Sequence, residues 1–183
     1  MALQKGAILR YELLGILFII LLGSLLHFTF ELSDYNPVVG VFSAVNESVW
    51  EHLKLGFWPA ILYMLIEYRF VKKRVNNFFL GKTVVPYAII AIIPAIFYSY
   101  TSITGESIFM IDILSFIVAV IIGQYLSYRI LIYKRLSSKL ELIALAALLL
   151  LAVLFVVFTF VPPHLPPFQD PISGDYGIIE HVH

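Results

Sequence analysis

The sequence predicts an all-α integral membrane protein: a bundle of five transmembrane helices with its N-terminus inside and its C-terminus outside. Three observations predict it. Apolar residues make up 61% of the 183 positions and charged residues only 13%, against roughly 45–50% and 25% in soluble domains. Five apolar runs, at about residues 13–30, 49–70, 84–103, 108–129 and 142–161, meet the requirement of about 20 helical residues for a hydrocarbon core about 30 Å thick. Eleven of the twelve Lys and Arg cluster in three places: Lys5 and Arg10; Arg69, Lys72, Lys73, Arg74 and Lys82; and Arg129, Lys134, Arg135 and Lys139. If each run crosses a bilayer, all three places fall on one side, and that side is cytoplasmic because basic residues flanking short loops are retained inside.

The same composition sets further bounds. Short connections make residues 1–161 one transmembrane domain, with 162–183 as an outward, proline-rich tail. An odd number of spans and the lack of a visible repeat argue against a simple inverted duplication. A formal net charge of zero excludes a nucleic-acid surface as the default partner and leaves the lipid bilayer as the principal one. With no cysteine, the outward loops carry no disulfide. The first run follows Lys5 and Arg10 as a signal peptide does, but it is too long and lacks a small-x-small cleavage pattern, so it reads as a retained anchor.

Along the chain, the first run ends in His27-Phe28-Thr29-Phe30-Glu31, whose His27 and Glu31 share a helix face by their i, i+4 spacing. The loop after it holds the turn residues Asp34, Asn36, Pro37 and Gly40. The second run opens on Ser48-x-x-Glu51, the spacing of a capping box. Pro86 and Pro94 fall in the third run, and Pro94 is expected to kink it. Asp112 and Ser115 lie near the outer end of the fourth, with Gln124 and Tyr125 toward the inner end. The fifth run has no polar residue between Glu141 and Thr159 and is expected to face lipid. In the tail, Pro162, Pro163, Pro166, Pro167 and Pro171 reduce the entropy lost on ordering, while Leu165, Phe168, Tyr176 and Ile178 offer apolar anchors, so the tail is expected to fold back as a lid.

On this topology the ionisable residues gather at the outer end: His27, Glu31, Glu47, Glu51, His52, Asp112, His164 and Asp170. Ionisable groups at membrane depth are costly and therefore tend to face the bundle interior and to be functional. Two histidines and two carboxylates, His27, Glu31, Glu51 and His52, offer the nitrogen and oxygen donors of a divalent metal such as zinc, and Glu47 or Asp112 is left as the base for a metal-bound water. Asn46, Ser48, Trp50, Lys54, Asp170 and Tyr176 complete the outward cluster. The same residues also read as a hydrogen-bonded polar cap, with Ser48 and Glu51 capping the second helix and Glu47, Glu51 and Lys54 forming ion pairs along one face. Asn46-Glu47-Ser48 is formally a glycosylation sequon, though capping explains it better. His181 and His183 could chelate a metal, though a free terminal tail is more often without such a role, and the run from Arg69 to Arg74 suits anionic headgroups, though topology alone accounts for it.

His27-Phe28-x-x-Glu31-Leu32-Ser33, the stretch from Asn36 through Lys54, and the tail pattern Pro162-Pro163 to Phe168-x-Asp170-Pro171-x-Ser173-Gly174-x-Tyr176-Gly177 carry a resemblance. They resemble an uncharacterised family of small multi-pass membrane proteins of bacteria and archaea. The resemblance implies placement in a prokaryotic cell membrane and one shared site for the three segments, but no activity. Three function classes stay open: an outward-facing hydrolase or transferase on a lipid-like substrate, a structural or sensory subunit for a membrane-protein partner or a second copy of itself, and a small-solute or proton-coupled transporter. The first two fit better than the third, because the polar residues do not continue through the span.

Overall fold

A computed structural model describes residues 2–178. It is all-helical: α1 Ala2–Leu32, α2 Pro37–Gly40, α3 Val49–Val71, α4 Phe78–Thr104, α5 Phe109–Leu131 and α6 Ser138–Phe160, with 3-10 turns at Lys72–Arg74 and Pro166–Phe168. Among the described residues there is no strand, only one isolated antiparallel bridge between Gln169 and Tyr176. Four helices are long and apolar enough to cross a membrane: Lys5–Leu32 within α1, and α4, α5 and α6. The run at 49–70 forms α3, which at 23 residues is as long as α5. Its Glu51, His52, Lys54, Glu67 and Arg69 keep it less apolar than the other four.

Local chemistry sets where the helices begin and end. Ser48 caps α3 by accepting a hydrogen bond from the Glu51 amide at 3.3 Å, and Ser137 caps α6 by accepting one from Lys139. Each such cap contributes about 1 kcal/mol. The first turn of α4 is capped from another helix, where the Glu141 carboxylate of α6 accepts hydrogen bonds from the Phe79 and Leu80 amides at 3.0 and 3.2 Å. Gly105 ends α4 in the left-handed region at φ 79°, which costs glycine little, and its amide donates to the Thr101 carbonyl. Both Pro86 and Pro94 lie inside α4, which runs through them unbroken.

α1 packs on α3 and α5, and α4 packs on α3 and α5, so these four helices close a ring; α6 lies against α4 from outside. The ring's middle is apolar, with Ile19, Phe57, Ile89, Ala119 and Val120 fully buried. Toward the outside the pattern is inverted relative to a soluble protein. Along α1, Glu12, Gly15, Ile19 and Gly23 are buried, whereas Leu13, Leu14, Leu17, Leu21 and Leu25 are 55–64% exposed. α6 buries only Ala144, Leu148, Leu151, Phe155 and Thr159, a single face, and presents the rest of its apolar surface outward.

Candidate metal centre

The ring has two polar ends, the first at His27. Gly23 of α1 lies against Leu55 of α3 so closely that a Cβ there would collide with the Leu55 carbonyl oxygen. One turn further along, this close crossing sets His27 opposite His52. Their Nε2 atoms are 3.2 Å apart, and Glu47 Oε2 lies 3.4 Å from His52 Nε2. All three residues offer ligand atoms within 4.8 Å of one another. Zinc held tetrahedrally with bonds of about 2.0–2.1 Å places its ligand atoms about 3.3 Å apart, a length that these two separations match.

The orientation of His52 is fixed by α3 itself. Its Nδ1 lies 2.9 Å from the Ser48 carbonyl oxygen, a contact that requires a proton on Nδ1 and points Nε2 at His27 and Glu47, so that in the neutral ring Nε2 carries the lone pair. His27 Nδ1 is buried without a hydrogen-bond partner. Beside the three donors lies a cavity of about 800 Å³ between α1, α3, α4 and α5. Leu55, Ile93, Phe97, Phe109 and Phe116 make its walls largely apolar, and Asp112 is the carboxylate on the α5 side. Asp112 Oδ1 accepts a 2.6 Å hydrogen bond from the Tyr100 hydroxyl, whose oxygen in turn accepts from the Ile108 amide at 3.0 Å.

The other residues singled out in the sequence have different work. Glu51 is buried and bonded to the Val45 amide at 3.0 Å and to Lys54 Nζ. Lys54 is itself fully buried and also donates to the Gly40 carbonyl at 2.7 Å and to Thr159 Oγ1 at 2.9 Å. Glu31 is exposed in the last turn of α1, away from the three donors. Asn46 Oδ1 accepts from the Ser48 amide, so the capping box is only half formed: Ser48 holds the Glu51 amide, but the Glu51 carboxylate does not return to Ser48. Trp50 stacks within an aromatic cluster with Phe155, Phe158 and Phe168.

The tail lies on this same end. Phe168 is buried against Trp50 and Phe158, and the Gly177 carbonyl accepts a 2.8 Å hydrogen bond from Asn46 Nδ2. Asp170 is buried and organises the turn that follows, accepting from the Ile172 amide and the Ser173 hydroxyl. Tyr176 stacks on His164 with ring centres 4.5 Å apart. Pro171 and Ile172 reach the cavity wall. His181 and His183 lie outside the described residues.

The second polar end departs from the sequence reading, which places Lys82 among basic residues that flank short loops. Lys82 is not in a loop but buried within α4, where Nζ lies 2.5 Å from Glu12 Oε1 and also pairs with Glu67 Oε2. Gln124 and Ser127 of α5 are buried in the same layer. Glu12 is the available signal: it is the one acid of the first helix before Glu31, set between Arg10 and a run of leucine and isoleucine.

Fold and site together describe an all-helical bundle with a largely apolar exterior, in which two histidines and a glutamate meet at the mouth of an apolar cavity. The chain belongs to the Family of unknown function (DUF6512), whose sequence pattern matches residues 3–178. No curated protein and no solved structure matches it.

Proposed function

We propose that this is a multi-pass protein of the prokaryotic plasma membrane that holds a divalent metal such as zinc on His27, His52 and Glu47 and uses it in hydrolysis or group transfer on a lipid-like substrate. The observation that carries the reading is the spacing of the three donors, 3.2 and 3.4 Å, at the mouth of an apolar cavity. Two His and one Glu are a donor set found in catalytic zinc sites, which keep one position open for water or substrate. Glu47 therefore replaces Glu51 and Glu31 as the carboxylate ligand in this proposal, and Asp112 is the carboxylate left to take a proton. A metal in such a site supplies a water acidified to near neutral pH and a positive charge for a developing oxyanion. Apolar walls at Ile93, Phe97, Phe109 and Phe116 suit an acyl chain, with the reacting group held at the polar rim.

Placement in a membrane is supported by the exposed leucines of α1 and the buried charges of the ring, an inversion that only an apolar solvent rewards. α3 serves as a fifth span beside the four apolar ones. Its charges at membrane depth turn inward and are paired, Glu51 with Lys54 and Glu67 with Lys82, so they cost far less than charges facing lipid, and Arg69 lies exposed in the last turn. The eleven-to-one distribution of basic residues then puts the His27 end outside and the tail over it as a lid. The test is turnover by detergent-purified protein on chromogenic esters, amides and phosphodiesters that carry one acyl chain. Turnover should vanish on chelation, return with zinc, and fall in kcat with little change in KM for Asp112→Asn. Turnover that survives chelation, or none on any acyl-bearing substrate, overturns the enzymatic reading.

A further inference from the structure

We propose that the buried Glu12, Glu67 and Lys82 form a proton-binding site, with one proton shared between the two carboxyl groups. The ring brings one charged residue from each of three helices to a single point: Glu12 from α1, Glu67 from α3 and Lys82 from α4, all at most 4% exposed. Lys82 Nζ contacts both acids, and among the described residues it is the only cation paired with either. The count is two carboxylates to one ammonium. If both acids were ionised, the cluster would hold a net negative charge away from water, which is strongly disfavoured. Two carboxyl groups that share a site relieve that charge by keeping one proton.

The hydrogen-bond pattern points the same way. Glu12 and Glu67 contact the same Lys82 nitrogen and so lie close together, yet as carboxylates neither has a hydrogen to give. Glu12 Oε2 and Glu67 Oε1 are buried without a hydrogen-bond partner. A proton on one carboxyl supplies the missing donor and takes the cluster from a charge of minus one to zero. The other groups facing the site provide no positive charge. Tyr63 of α3 donates its hydroxyl at 2.5 Å to the Tyr11 carbonyl of α1; Gln124 packs against Gly15; and Ser127 of α5 is a buried neutral hydroxyl. A sodium ion could satisfy the same charge count, but a proton needs no room of its own, and the acids already share one nitrogen.

Infrared spectroscopy of the full chain in nanodiscs decides between them. The expected result is one carboxylic-acid carbonyl band at neutral pH in sodium-free buffer, which shifts in deuterated water and is lost in Glu67→Gln or Glu12→Gln. The amide stands in for the neutral acid, so these variants should keep a Tm close to that of the parent protein. Raising the pH until the band disappears should lower the Tm of the parent but not that of Glu67→Gln. The parent spectrum alone is decisive even if a variant fails to fold. No acid band at neutral pH, or a Tm that rises with sodium but not with choline while the band stays absent, overturns the proposal.

Discussion

At the scale of single residues, the bundle separates two ionisable side chains that are neighbours in sequence. Glu51 and His52 are consecutive, so they point about 100° apart around α3. One side chain can enter the site at the cavity while the other turns to Lys54, but both cannot do the same. Glu51 and Lys54 form a pair deep in the protein, backed by the Val45 amide, the Gly40 carbonyl and Thr159. Removing one partner from a buried pair leaves an uncompensated charge and typically costs about 3–5 kcal/mol. Lys54→Met should therefore lower the Tm in detergent sharply, whereas Glu51→Gln combined with Lys54→Met should lower it less than Lys54→Met alone. Equal losses for the single and the double change would show that the unpaired charge is not what destabilises.

At the scale of helices, the site depends on how closely α1 and α3 cross. Gly23 admits the Leu55 carbonyl, and His27 and His52 follow on the same side of that contact, four residues after Gly23 and three before Leu55. A larger side chain at 23 wedges the helices apart, and overpacking of this kind costs about 1–3 kcal/mol. Gly23→Val should leave a folded helical bundle by circular dichroism yet weaken zinc binding at least tenfold by calorimetry, because it moves the donors and not their chemistry. Unchanged affinity would mean that the crossing does not set the His27 to His52 distance. The sequence made the helices legible because apolar runs and turn residues report length and ends. Of the residues that the sequence groups at the outer end, His27 and His52 do meet. The sequence could not show that Glu47 is the carboxylate beside the two histidines, because Glu47 precedes the N-cap and is positioned by the Asn46-Ser48 turn rather than by helical spacing. Nor could it reveal the cluster at Lys82, whose members lie 70 and 15 residues apart and meet only when the ring closes.

At the scale of the whole molecule, one ring of four helices carries two polar ends separated by an apolar middle of Ile19, Ile89, Ala119 and Val120. Among the described residues no polar chain joins the ends, which fits a one-sided site better than a route through the bundle. The central claim is that His27, His52 and Glu47 bind one metal ion. Elemental analysis of protein purified without chelator, with zinc returned and excess removed, tests it most directly. About one zinc per chain is expected, falling to background in His27→Gln and His52→Gln, since an amide is a poor zinc ligand, and reduced in Glu47→Gln, with helical content unchanged in all three. Zinc absent from the parent protein, or retained at full stoichiometry in the His27→Gln and His52→Gln variants, would contradict it.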